Sequence, residues 1–185
     1  MARAPRRLDL ALQRARDGDA RGFDELYRAH AAAVTGYLRA RNVSDPDDLT
    51  NEVFLRAFRT VHTVQGDASR FRSWLFGIAR NAAIDEARHR RRQPVAQSVD
   101  TDRAGAGGDV EDEALRRVES DQVRALLESL APDQRDVLLL RIVGDLSVAQ
   151  TAAVVDKSYE AVKALQRRGL AALRRTLQVR EGVPQ

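Results

Sequence analysis

Residues 147–168 read Ser147-Val148-Ala149-Gln150-Thr151-Ala152-Ala153-Val154-Val155-Asp156-Lys157-Ser158-Tyr159-Glu160-Ala161-Val162-Lys163-Ala164-Leu165-Gln166-Arg167-Arg168. Val148, Ala152 and Val155 recur at helical spacing, and Ala161, Val162 and Leu165 do so again after a polar interval. Ser147 stands where a helix cap belongs. Ser158 stands at a second such place, with Glu160 in the first turn that follows. Two short helices joined by the tight polar turn Asp156-Lys157-Ser158 describe a helix-turn-helix, and the small Ala152 and Ala153 let its helices cross closely. Tyr159, Glu160, Lys163, Gln166 and Arg167 then project from the start of the second helix, which also bears Arg168. Lys and Arg can meet guanine O6 and N7, Gln can meet adenine, and Ser158 can hold a phosphate. A plain antiparallel helix pair with a solvated basic face fits the same pattern.

The period of three and four extends outward from this motif. Val118, Val123, Leu126, Leu127 and Leu130 give one amphipathic helix, halted near Pro132. Asp133–Val143 gives another, with Val137, Leu138, Leu140 and Ile142 buried in some combination. In the N-terminal half, Phe23, Leu26, Tyr27, His30, Val34, Tyr37 and Leu38 form one stripe of a long helix. Asp45 can cap the next helix, Pro46 suits its first position, and Asp47 and Asp48 favour the positive end of its dipole. Leu49, Val53, Ala57 and Val61 make its apolar face. Gln65–Ser69 is a turn, and Phe71, Trp74, Leu75, Ile78, Ala79 and Ala82 run down a further helix. No segment of period two rich in β-branched residues occurs, so the fold class is all-α.

Between the halves, Gln97–Asp112 is polar and holds three Gly within four positions. It cannot bury enough apolar surface to offset the entropy of ordering it, and reads as a flexible acidic linker. The expected organisation is therefore two small helical domains, residues 8–93 and 114–180, joined by a linker over 94–113.

The 185 residues carry 31 Lys+Arg against 27 Asp+Glu, with no Cys. Without Cys there is no disulfide scaffold, thiol nucleophile or Cys-ligated zinc or iron–sulfur site. His30, His62 and His89 are scattered without ligand spacing, and no phosphate-loop, dinucleotide-loop or nucleophile-elbow pattern occurs. No metal, no cofactor and no catalytic constellation is expected, and the chain does not read as an enzyme. No run of 18 apolar residues exists, and the basic N-terminus lacks the apolar region of a signal peptide. A cytoplasmic protein that does not itself insert in a membrane is expected.

Charge is unevenly placed. Arg88–Arg92 has four Arg and a His without an acid, and Lys157–Arg180 has seven basic residues against Glu160 alone. Asp100–Asp121 between them holds eight acids against three Arg. Two surfaces for a polyanion, separated by a connector that avoids them, fit this layout. Asp67, Ser69, Arg70, Phe71, Trp74, Phe76, Arg80, Asn81 and Arg88 mix aromatic, amide and guanidinium groups, as a surface that stacks unpaired bases and holds their phosphates requires. Phe71, Trp74 and Ile78 lie at core spacing, whereas Phe76 lies off that stripe and is the stronger stacking candidate.

Three ordered segments carry a family resemblance. Asp47-Asp48-Leu49-Thr50-Asn51-Glu52-Val53-Phe54-Leu55-Arg56-Ala57-Phe58-Arg59 resembles the D-D-L-x-Q-E-x-F-L-R-A-[FWY]-R signature of bacterial sigma-70-family factors. Phe71-Arg72-Ser73-Trp74-Leu75-Phe76-Gly77-Ile78-Ala79-Arg80-Asn81 resembles the segment F-x-x-W-L-x-x-I-A-x-N that follows it, and the basic stretch Asp85–Arg92 is also similar. Leu130-Ala131-Pro132-Asp133-Gln134-Arg135-Asp136-Val137 is similar to the L-P-x-x-x-R-x-V opening of the family's C-terminal domain. With both domains, a short linker and nothing else, the chain resembles an extracytoplasmic-function (ECF) RNA polymerase sigma factor.

The resemblance implies partners and a division of labour. Asp47, Asp48, Asn51, Glu52, Leu55 and Arg56 would meet the clamp helices of the polymerase β′ subunit, and the β flap would be a further polymerase contact. Asp67, Ser69, Arg70, Phe76, Arg80, Asn81 and Arg88 would take the melted −10 element, with Asn81 holding the separated strand. Ser158, Tyr159, Glu160, Lys163, Arg167 and Arg168 would read the duplex −35 element. The linker carboxylates would thread channels meant for nucleic acid. An anti-sigma factor, often anchored at the membrane, would hold the protein inactive. Asn51 departs from the family's Gln, and Ala164, Leu165 and Leu170 stand where many members have Ser, Arg and Arg.

Two other classes fit parts of the pattern. An autonomous helix-turn-helix regulator requires a dimerisation face, and no heptad seam or spare apolar surface supplies one. A helical adaptor that binds only protein predicts weak salt dependence, whereas several Arg–phosphate contacts predict a steep one.

Overall fold

The computed structural model describes residues 3–92 and 122–180; the linker expected over 94–113 and the start of the helix expected from Val118 lie outside them. Among the described residues every regular element is helical. Helices α1 (Arg3–Arg16), α2 (Ala20–Ala40), α3 (Pro46–Thr60) and α4 (Ala68–Arg92), with a 3-10 turn at Val61–Thr63, form the N-terminal group. Helical residues 122–128 precede α5 (Pro132–Ile142), α6 (Val148–Val155) and α7 (Tyr159–Arg180) in the C-terminal group.

The caps lie where the polar residues predict them. The Asp45 carboxylate accepts from the Asp47 and Asp48 amides at 3.2 and 2.9 Å, and Pro46 opens α3. Ser147 and Gln150 close a reciprocal capping box at the start of α6. Ser158 accepts from the Ala161 amide at 3.2 Å, which starts α7. Between α6 and α7 the chain reverses through Asp156, which adopts the left-handed region at φ 54°.

Burial follows the periodic stripes. Leu26, His30, Val34, Tyr37 and Leu38 of α2 face inward, as do Val53, Phe54 and Ala57 of α3 and Phe71, Leu75, Phe76 and Ala79 of α4. In α5, Val137, Leu138, Leu139 and Leu140 are buried, whereas Ile142 is exposed. One helix was not anticipated. Ala11, Leu12 and Ala15 of α1 are buried against α2, but the density of Arg and Asp around them hides their spacing in the sequence.

The two helical groups are not held apart. Helix α4 packs on α6, α2 touches α5, and buried residues of both groups belong to one apolar cluster. Nothing in the image of two loosely tethered modules foretold this contact, because its polar half is built from single residues of unremarkable local context.

Candidate polymerase and nucleic-acid interface

Helix α3 presents two contrasting faces. Thr50, Val53, Phe54 and Ala57 are buried, and rings of Tyr27 and Phe54 (4.7 Å between centroids) and of Phe23 and Phe58 (4.7 Å) seat the helix on α2. The Thr35 and Thr50 hydroxyls, 2.9 Å apart, add a polar pin. Asp47, Asp48, Asn51, Glu52, Leu55 and Arg56 all point outward, so the structure brings the six expected polymerase-facing residues onto one surface. Leu55 is 56% exposed in the middle of it. Around Leu55, Glu52 pairs with Arg56, Asp47 lies 3.9 Å from Arg39, and the Tyr27 hydroxyl donates to Asn51 Oδ1 at 3.3 Å.

The turn before α4 is rigidly tied. Gly66 has φ 95°, a conformation that a side chain would strain, and its carbonyl accepts from Arg16 at 2.7 Å. Asp9 accepts from the Ala68 amide at 2.8 Å. The Asp67 carboxylate accepts from the Arg70 amide at 2.9 Å, so this side chain is committed to capping α4. Ser69, Arg70, Asn81 and Arg88 are exposed, and Arg88 pairs with Asp85 at 3.5 Å.

Phe76 does not fit the role expected of it. It is fully buried and meets Tyr37 edge-to-face at 5.6 Å, so it has no free face on which a base could stack. Its departure from the Phe71 stripe reflects a helix buried on more than one side, between α2 and the C-terminal group. Trp74 and Ile78, which the spacing assigned to the core, are only part-buried. Trp74 lines a groove of about 490 Å³ between α4 and α6, together with Arg70, Asn81, Ala149, Gln150 and Ala153.

Arg80 is turned away from solvent. Its Nε donates to Asp136 Oδ2 at 3.0 Å, and Arg41 pairs with the other oxygen of the same carboxylate. Burial, with the Asp136 carboxylate adding to it, pushes the Tyr37 hydroxyl above its ordinary range. Burial and then the Arg41 charge push the Arg135 guanidinium down. Nearby, Arg72 donates to the Gly144 carbonyl at 2.6 Å and lies 3.8 Å from Asp145. Gln150 donates to Ser69 Oγ at 2.8 Å and to the Ser69 carbonyl at 3.0 Å. Sequence reasoning passed over Arg41, Arg72, Asp136 and Gln150 in this role. Each stands among similar charged or polar neighbours, and only the fold places them together.

At the start of α7 and along it, the six expected duplex-reading residues, Ser158, Tyr159, Glu160, Lys163, Arg167 and Arg168, are all exposed. Lys163 lies 5.6 Å from the Tyr159 ring centroid and 4.0 Å from Glu160. Arg168 donates back to the Ala164 carbonyl at 3.3 Å. Gln166, offered from sequence as an adenine reader, instead accepts from Arg141 at 3.3 Å. Glu160, Lys163, Gln166 and Arg167, with Arg174, border a groove of about 700 Å³.

Both helical groups match described families. Sigma-70 region 2 matches residues 26–93, and Sigma-70, region 4 matches residues 120–173. The sigma factor SigX of Bacillus subtilis is 32% identical over 85% of this chain and 84% of its own length. The chain belongs to the ECF RNA polymerase sigma factors. BldN of Streptomyces coelicolor, another member, is 33% identical over 90% of the chain, which spans 64% of BldN's length. Among solved structures, CnrH in complex with the cytosolic domain of CnrY is similar with a TM-score of 0.71 and 27% identity, over 93% of this chain and 98% of that one. As an ECF sigma factor the chain carries its Sigma-70 region 2 match on α2–α4 and its region 4 match on the C-terminal helices. No helix among the described residues is long and apolar enough to cross a membrane.

Proposed function

We propose that this sigma factor binds core RNA polymerase through α3, captures the melted −10 element along the turn and α4, and reads the duplex −35 element with α7. The observation that carries this reading is the outward face of α3. A half-exposed leucine ringed by acids, an amide and an arginine has no use on a free helix, whereas it suits an anchor at a polar interface. The β′ clamp helices would receive that face. The C-terminal helices would meet the β flap while the basic start of α7 enters the major groove.

Strand opening in this reading is non-enzymatic. Unstacking a base costs a few kcal/mol, and capturing it in a protein pocket offsets that without nucleotide hydrolysis. Asn81 would hold the separated strand, and Ser69, Arg70, Arg80 and Arg88 would hold its phosphates or the flipped base. The domains are assigned as residues 8–93 and 114–180, with 94–113 as the linker. The protein would act in the cytoplasm. CnrH was solved with the cytosolic domain of CnrY, which favours a comparable regulator, an anti-sigma factor, for this chain.

The test is retention of the purified chain on core polymerase, followed by transcription from a promoter library. Core retention with selective initiation supports the reading. Duplex binding by the chain alone as a dimer, without core retention, replaces it with an autonomous regulator.

A further inference from the structure

Two guanidinium groups from the N-terminal group converge on one carboxylate from the C-terminal group. Arg80 Nε lies 3.0 Å from Asp136 Oδ2, Arg41 pairs with Oδ1, and the three side chains are only 19%, 15% and 6% exposed. A carboxylate bridged oxygen by oxygen between two arginines has the charge and geometry of a phosphodiester in the same seat. Asp136 does not fill the seat. Arg41 Nε is buried with no acceptor among the described residues, a donor that a further oxygen could satisfy. The contacts around it occupy the same face of α4, since Gln150 holds Ser69 and Gly144 holds Arg72.

We propose that Arg41 and Arg80 form a phosphate-binding site for the single promoter strand, and that Asp136 occupies it when the two helical groups are packed together. Packing of α5 and α6 on α2 and α4 and capture of the −10 strand then exclude each other. Two arginines covered by α5 without a counter-anion are costly, so Asp136 accompanies the packed state; once α5 and α6 lift away, the same pair is free to take a strand phosphate. The free protein is thereby kept from single strands until another partner separates the two groups. The site rests on the −10 reading given above, and the experiment separates the two.

The chain has no cysteine, so thiols can be placed at will. Dyes on cysteines replacing the exposed Arg28 and Gln178 report separation of the two groups by energy transfer, and a labelled single-stranded DNA of random sequence reports binding. Asp136→Ala is expected to lower energy transfer and to raise strand affinity by about tenfold or more, as the competent fraction grows. Adding Arg41→Ala should return affinity toward the wild-type value while transfer stays low. In an otherwise wild-type background, R72C/D145C joined by a reducible thiol cross-linker should not bind the strand until reductant is added, which keeps the test valid if Asp136→Ala fails to fold. Equal binding by the cross-linked and reduced forms overturns the exclusion, and an Arg41→Ala change without effect in the open background overturns the site. If no form binds the strand while polymerase carrying the wild-type chain initiates from its promoter, this site falls and the proposed function stands. Failure of that polymerase to initiate overturns the proposed function instead.

Discussion

His30 lies against Phe71, with ring centroids 5.7 Å apart, and joins α2 to α4 inside the core. Both imidazole nitrogens are buried without a hydrogen-bond partner among the described residues. Burial, and then the nearby Arg72 charge, lowers the His30 pKa from 6.5 to about 4. This histidine is a neutral, ring-shaped piece of core, which fits its place in the apolar stripe of α2.

A definite pH dependence follows. The unfolded chain takes up a proton at His30 near pH 6.5, whereas the folded chain resists until about pH 4. The stability that the neutral ring contributes is therefore complete above pH 6.5 and is lost progressively as pH falls toward 4. The loss amounts to about 3 kcal/mol. Thermal melts across this range should show the decline in the wild type and a flatter curve in His30→Leu.

Gly22 makes a second stability test with an unusual sign. A Cβ there would lie 2.5 Å from the Ala11 carbonyl oxygen and 2.5 Å from the Ala15 nitrogen, both backbone atoms of α1. Helix propensity alone makes Gly→Ala favourable by about 1 kcal/mol. The close approach of α1 reverses this, because α1 must move off α2, and overpacking of this kind costs about 1–3 kcal/mol. Gly22→Ala should lower the melting temperature, and a rise would mean that α1 does not sit so closely.

Those two residues mark what the sequence makes legible. Helices α2, α3, α6 and α7 follow from apolar spacing and from Asp45, Ser147 and Ser158 as caps, all local signals that tertiary context did not override. Helix α1 was hidden because Arg and Asp surround Ala11, Leu12 and Ala15. The six outward residues of α3 follow from the family resemblance and not from the apolar stripe alone, since Thr50 and Phe54, which lie off the stripe of Leu49, Val53, Ala57 and Val61, are buried as well. Phe76 was misjudged because a helix covered on several sides has no single stripe. The Arg41–Asp136–Arg80 cluster was beyond reach, since it joins residues 95 and 56 positions apart whose neighbours carry the same charges.

Leu55→Asp tests the α3 face. Leu55 is 56% exposed, so the change should alter folding stability by less than about 0.5 kcal/mol. Loss of an interface anchor typically costs about 2 kcal/mol or more, and a new carboxylate among Asp47, Asp48 and Glu52 adds repulsion. The variant should fold normally, by circular dichroism, yet fail to co-purify with core polymerase. Full retention would exclude this helix as the anchor.

Lys163 and Arg168 can be distinguished by what each meets in DNA. A base-edge contact should cost about 1–3 kcal/mol on change to Ala and relax preference at one −35 position. A phosphate contact should weaken binding to all sequences alike and lessen the salt slope by about 1. Lys163, held near Glu160 and the Tyr159 ring at the start of α7, is expected to behave in the first way. Arg168, which donates back to Ala164, is expected to behave in the second. Footprints of polymerase carrying either variant, taken across a salt series, measure both effects.

Asn81 separates binding from opening. It is exposed on α4 and shares the α4–α6 groove with Trp74 and Arg70. Asn81→Ala removes an amide that can donate and accept at a base edge, but no buried contact, so folding and polymerase binding should be unchanged. Its effect should fall on the state in which bases are unstacked, because only then are their edges available to the amide. Permanganate reactivity of −10 thymines should therefore develop more slowly with the variant, at undiminished occupancy of the promoter. Unaltered reactivity would move strand capture to other residues of the same face, Arg70 and Ser69 first among them.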